Sequence, residues 1–194
     1  MTSYPLRIPG RQIVLRDFRR EDVDAAIAVM GDDQVTRWLS FDTRNRAQTS
    51  TMIGGAIERA QSDPRAEFYL AVTLPNDTLI GFARLGPDGV QAGKLGYAIR
   101  ADQWGRGYAT DAARTLTNYG FQQLGLHRIS AAIGPDNGPS VALVRRLGFQ
   151  YEGRIRDHVY TNGAWRDSLL YSVLDQEWAK AIQADDSQRA SAQA

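Results

Sequence analysis

At 194 residues the chain is long enough for one well-packed domain and short for two, and its 43% apolar and 23% charged residues are ordinary globular usage that excludes a disordered chain or an extended repeat. Lys and Arg number 23 against 22 Asp and Glu, so there is no broad cationic footprint of a nucleic-acid binder, and an anionic ligand must be held locally. With no cysteine, only His127 and His158 as imidazoles, no signal-peptide pattern and no apolar run near about 20 residues, the expectation is a metal-free cytoplasmic protein without membrane contact.

Taken along the chain, residues 1–10 read as an N-terminal arm. Arg11–Arg16 (RQIVLR) alternates as a first strand, and Arg19–Met30 follows as an alanine-rich helix that stops before Gly31. Asp33–Leu39 reads as a short helical turn and Arg46–Ala60 as a second helix, weakened by Gly54 and Gly55. From Glu67 the pattern changes: EFYLAVTL, a turn at Pro75-Asn76-Asp77, and LIGFARL predict an antiparallel hairpin. Lys94–Arg100 (KLGYAIR) is the next strand. Tyr108–Leu124 is a helix closed by Gly125, His127–Ile133 a strand, and Asn137–Leu147 a helix closed by Gly148. Gln150–Val159 and Trp165–Leu174 flank Thr161-Asn162-Gly163 as a final hairpin. The expected fold class is α/β, a mixed and mostly antiparallel sheet with flanking helices and one parallel crossover near Gly107, in a domain over 11–178 with a flexible tail over 179–194.

The segment richest in chemistry is DQWGRGYATDAARTL, where a strand passes through Gly105 and Gly107 into an amphipathic helix. A helix start of this kind offers several unpaired N–H groups and the positive end of a dipole, which suit a phosphate or diphosphate, and Arg106 adds a mobile charge. A dinucleotide fingerprint would need a third glycine where Thr110 stands. A Walker loop would need a lysine that the segment lacks. The diphosphate of coenzyme A remains, against the plainer explanation of a glycine-bearing strand-to-helix turn.

These residues resemble the GNAT superfamily of acetyltransferases, and within it the ribosomal-protein alanine acetyltransferase type (RimJ/RimL-like). The similarity runs from about Ile13 to Trp178 through LRDFRREDVDA, GYAIRADQWGRGYATDAARTL, PDNGPSVALVRRLGF and NGAWRDSLLYSVL. The resemblance implies a GNAT-like sheet with one parallel pair splayed where acetyl-CoA binds. It implies that Trp104, Gly105, Arg106, Gly107, Tyr108, Ala109 and Thr110 cradle the diphosphate, and that the backbone of Tyr97, Ala98 and Ile99 holds the pantetheine. Trp104 stands where the family's general signature has Gln or Arg. Many relatives carry a tyrosine seven residues after Asn137 to protonate the departing thiolate, and that place is Val144. The resemblance points to Ser140 as hydroxyl donor and to Asn137 as the residue fixing the pantetheine arm, with helix capping the competing explanation for both.

The acceptor amine must attack as its neutral form. Relatives often use a glutamate on the strand before the turn, where this chain has Lys94. Near pH 7 roughly one α-amine in ten is neutral but fewer than about one lysine in a thousand, which favours a peptide α-amine or another weakly basic amine as acceptor. Asp167, Glu67 and Asp157 are candidate proton acceptors, each with a surface or turn role as the alternative. A backbone N–H near Ile99 would meet charge on the acetyl oxygen. His127 reads as structural; His158, Trp38, Phe41, Tyr160 and Trp165 are candidates for the acceptor side, and Arg145 or Arg146 for the ribose phosphate. The expected activity is acetyl transfer from acetyl-CoA to a peptide N-terminus or small amine by a monomer or homodimer that binds no nucleic acid. An antibiotic acetyltransferase and a non-catalytic acyl-CoA-binding module are the alternatives, the second kept open by Lys94 and Val144.

Overall fold

The strands are Arg7–Pro9 (β1), Val14–Asp17 (β2), Phe68–Thr73 (β3), Leu79–Pro87 (β4), Ala92–Ile99 (β5), Arg128–Ile133 (β6), Gln150–Thr161 (β7) and Ala164–Leu174 (β8). In the computed structural model, which describes residues 4–180, they form one sheet in the order β1-β2-β3-β4-β5-β6-β8-β7. The helices are Val23–Met30 (α1), the single turn Asp33–Thr36 (α2), Arg46–Ala60 (α3), Tyr108–Gln122 (α4) and Gly138–Arg146 (α5). None of the described helices is long and apolar enough to cross a membrane.

Strand alternation sorts the apolar side chains into two layers. Leu70, Leu85, Leu95, Ile129 and Val173 face α4 and α5, where Ala112, Leu116 and Val144 complete one cluster. Ala71, Phe82 and Ala98 point the other way, into a cluster with Val29, Met30 and Ile53 of α1 and α3. Each fully buried Leu or Ile contributes about 1.5–3 kcal/mol, so both layers hold the central strands. The second cluster contains no residue of β6, β7 or β8. On that face these strands place Ser130, Ser168 and Ser172 instead, all three buried, so this half of the sheet is polar where the other half is apolar.

Every strand pair is antiparallel except β5 with β6. That parallel pair, joined through α4, holds register only over Ala92↔Arg128, Gly93↔Ile129 and Lys94↔Ser130. Beyond it, β5 runs on with β4 to Ile99↔Gly81 while β6 runs on with β8 to Ile133↔Leu169. The two strands separate past Lys94, and the inner edges over 95–99 and 131–133 are left without strand partners, with the Ile99 carbonyl taken instead by the Trp104 indole.

The start of the chain departs from expectation. Arg7–Pro9, expected in an arm outside the domain, pairs with Val14–Arg16 as the edge strand. The strand expected over Arg11–Arg16 begins only at Val14, because the amides of Arg11, Gln12 and Ile13 donate instead to the Asp111 carboxylate of α4 at 3.1, 2.6 and 3.2 Å. Of the expected tail, 179 and 180 end a helical stretch over 175–180 whose Trp178 is buried against Phe121, while 181–194 lie outside the described residues.

Candidate active site

Where the parallel strands part, a cavity of about 380 Å³ opens between β5, the starts of α4 and α5, and the turn after α2. Eleven of the twelve residues expected at the coenzyme line it: Tyr97, Ala98, Ile99, Trp104, Gly105, Gly107, Tyr108, Ala109, Thr110, Asn137 and Ser140. Arg106 does not; its side chain is exposed. Val35, Arg37, Gln103, Pro139 and Leu143 also line the cavity and were not legible in the sequence, because they arrive from segments whose placement depends on the fold.

The glycine turn takes its shape from backbone that other residues resist. Gly105 and Gly107 have φ of 76° and 83°, in the left-handed region, and a Cβ on Gly105 would project into open space. Trp104 folds back so that its indole N–H donates to the Ile99 carbonyl at 2.7 Å, tying the turn to the end of β5. Asp32, Asn45 and Asn137 cap α2, α3 and α5 with their side chains, whereas α4 begins at Gly107 and has no side-chain cap. Its first amides, Tyr108 to Thr110, therefore lie uncapped at the cavity wall with the helix dipole behind them.

At the start of α5 the Asn137 side chain accepts from the Ser140 amide at 3.2 Å, so capping is realised, and both residues still line the cavity. Opposite them the Tyr97 hydroxyl is buried without a hydrogen bond of good geometry. Burial pushes its pKa up to about 12, with the nearby Ser140 side chain acting the other way. Val144, at the place where relatives carry tyrosine, is sealed in the core. Arg146 reaches the cavity, while Arg145 stacks over Tyr171.

The acceptor-side candidates divide. Trp38 lines the cavity under the guanidinium of Arg37, whose carbon lies 4.6 Å from the ring centroid. Phe41 packs on Phe82, and Tyr160 meets Trp165 edge-on at the exposed tip of the β7–β8 hairpin. None of the three candidate carboxylates lines the cavity. Glu67 is held between Arg59 and Arg84. Asp167 accepts from the Asp157 amide and from Arg154, which together hold its carboxyl below the ordinary range, and Asp157 occupies a bulge with φ of 46°. His127 pairs with Asp175 at 3.3 Å, away from the cavity. His158, which also lies outside the cavity lining, hydrogen-bonds to Ser168 at 2.9 Å and approaches Lys94 at 3.5 Å; burial and then the Lys94 charge lower its pKa.

Residues 12–150 match the family model described as an acetyltransferase (GNAT) domain. The chain belongs to the GNAT acetyltransferases. It is 31% identical over 166 residues to the N-acetyltransferase YoaA of Bacillus subtilis, covering 84% of this chain and 93% of that protein. It is 31% identical over 115 residues to the [ribosomal protein uS5]-alanine N-acetyltransferase of Escherichia coli, covering 57% and 59% of the two chains. Its fold matches that of Mycobacterium smegmatis RimJ, solved in complex with CoA-disulfide, with a TM-score of 0.79 at 23% identity over 94% of this chain and 96% of that one. This GNAT protein is thus RimJ/RimL-like and an acetyl-CoA-dependent transferase.

The cavity suits that co-substrate. Its lining includes no carboxylate, its two charged side chains are Arg37 and Arg146, and the uncapped amides of α4 complement an anionic diphosphate. The unpaired inner edge of β5 suits the peptide-like groups of pantetheine.

Proposed function

We propose that this GNAT enzyme acetylates the α-amine of a peptide N-terminus, or a comparably weak small-molecule amine. The observation that carries the reading is the charge of the cavity: no acid lines it, and beside Arg146, which the diphosphate would engage, it holds Arg37. Cations lower the pKa of a neighbouring amine, and an α-amine at about 8 reaches its neutral form with far less help than a lysine at about 10.4. The Escherichia coli relative, a [ribosomal protein uS5]-alanine N-acetyltransferase, supports a protein amine as acceptor. A polycationic aminoglycoside would meet repulsion from these arginines.

In this reading the amides of Gly107 to Thr110 hold the coenzyme diphosphate together with Arg146, and the backbone of Tyr97 to Ile99 aligns the pantetheine. Several weak terms act together here, since the dipole contributes only about 0.3–1 kcal/mol. Asn137 fixes the start of α5 and presents its amide to the pantetheine arm. Ser140 supplies a proton to the departing sulfur, backed by the otherwise unpartnered Tyr97 hydroxyl.

The test is thiol release from acetyl-CoA against peptides with free N-terminal alanine or serine, N-terminally blocked lysine peptides, polyamines and aminoglycosides, with the site of acetylation read by mass spectrometry. Turnover on free N-termini is the expected result. Turnover confined to lysine side chains or aminoglycosides would overturn the substrate class, and tight acetyl-CoA binding without turnover would favour a sensor.

A further inference from the structure

The polar face of the sheet ends in an arrangement that the coenzyme does not explain. Strand alternation places Lys94, Gly96 and Ala98 on the face opposite Tyr97, and Ala98 lines the cavity. The β7–β8 hairpin extends past the end of β6 and leans across this face. Arg166 of β8 donates to the carbonyls of Arg37 and Leu39 at 2.6 and 2.7 Å, and the Asn162 amide donates to Asp42 at 2.7 Å. The face of β5 that carries Lys94 and Ala98 is thereby flanked by the 37–42 segment and by the hairpin.

His158 stands where the hairpin bends, next to the left-handed Asp157 and within the register break between Ile155 and Val159. Its Nδ1 is 2.9 Å from the Ser168 hydroxyl and its Nε2 is 3.5 Å from Lys94 Nζ. Lys94 has only donors to offer, so the consistent tautomer carries the proton on Nδ1, given to Ser168, and keeps the Nε2 lone pair toward Lys94. The carboxylates nearby are already engaged: Asp88 by Ser130, Glu152 by Arg128 and Ser172, and Asp167 by Arg154.

We propose that His158 is the general base of this acetyltransferase, taking a proton from the acceptor ammonium at Nε2, with Ser168 and Lys94 as positioning residues that set the ring's orientation and charge. The proposal rests on the amine-acetylating reading above. An ammonium approaching along this face of β5 replaces Lys94 as the donor to Nε2 and leaves its proton there. The neutral amine forms the C–N bond as the C–S bond breaks, the second amine proton compensates the one given to sulfur through Ser140, and the proton on His158 passes to water. Lys94 disfavours a second positive charge on both the imidazole and the incoming amine, so the proton leaves the pair. Lys94 faces the ring from β5, and Arg166 shares Ser168's face of β8. Arg156 and Asp157 adjoin it on β7, and Asp167 turns to the other face of β8.

The test is the pH profile of kcat/KM on an N-terminal alanine peptide, joined to an NMR titration of the two imidazoles, with His127 identified through His127→Gln. The unaltered protein should show an acidic limb that coincides with the His158 titration, below that of an ordinary histidine. His158→Gln should lower kcat/KM about 100-fold or more and remove the limb, without changing acetyl-CoA affinity. Lys94→Met should move both the limb and the His158 titration to higher pH. An unchanged profile in His158→Gln, or a His158 titration that ignores Lys94→Met, would overturn the base assignment alone. An unaltered protein that turns over no amine would overturn the parent reading with it.

Discussion

The proposed coenzyme side of the cavity comes from one run of sequence, residues 97–110, closed by the start of α5, whereas the proposed acceptor side brings together four separate segments. On the first side the contacts offered are amides set by two left-handed glycines and an uncapped helix. On the second, the framework is Arg166 reaching carbonyls 127 and 129 residues away and His158 reaching Lys94 across 64. Main-chain recognition survives many changes of side chain, which is how Trp104 can occupy a Gln or Arg position and support the turn through Ile99 instead. A side-chain framework changes with each substitution, so acceptor choice can drift while the coenzyme stays the same.

Four variants test that division, in order of expected effect. Asp111→Ala strips a buried carboxylate from three amides that join the first two strands to α4, and should cost about 3 kcal/mol in denaturant unfolding, since unpaired buried donors cost about 1–3 kcal/mol each. Acetyl-CoA affinity should fall with it while acceptor KM holds; a change in acceptor KM alone would break the comparison. Gly107→Val forces a β-branched residue into φ of 83° and should weaken acetyl-CoA binding by about 100-fold, roughly 2.7 kcal/mol, in calorimetry with a native circular dichroism spectrum. Retained affinity there would mean that the glycine turn does not hold the coenzyme.

Ser140→Ala should lower kcat by about 10- to 100-fold with the acetyl-CoA Kd within about twofold, separating proton supply from binding in steady-state and equilibrium measurements. Arg166→Met should have the smallest effect, raising acceptor KM by about tenfold through loss of the hairpin's hold on residues 37–39, with acetyl-CoA Kd unchanged. Equal weakening of both substrates by Arg166→Met would show the two sides to be mechanically coupled.

Much of the coenzyme side could be read before any coordinates. Gly105 and Gly107 announce a left-handed turn because the conformation is a property of the residue itself, and Asn137 announces a helix start because its cap closes within three residues. The strands β3 and β4 and the final hairpin were likewise legible, since each pair of β-forming runs is divided by local turn residues, Pro75-Asn76-Asp77 and Thr161-Asn162-Gly163. Other features depend on register across the sheet and leave no local trace. Arg7–Pro9 became a strand only because Asp111, about a hundred residues on, collects the amides of the turn that follows it. Trp178 is core only because Phe121 lies beneath it. His158 gained a candidate role only when the hairpin bent over Lys94. Backbone preference acts over a turn or two of chain and is visible residue by residue, whereas the pairing of distant side chains follows from which strands lie side by side, and that is settled by the packing of the whole sheet.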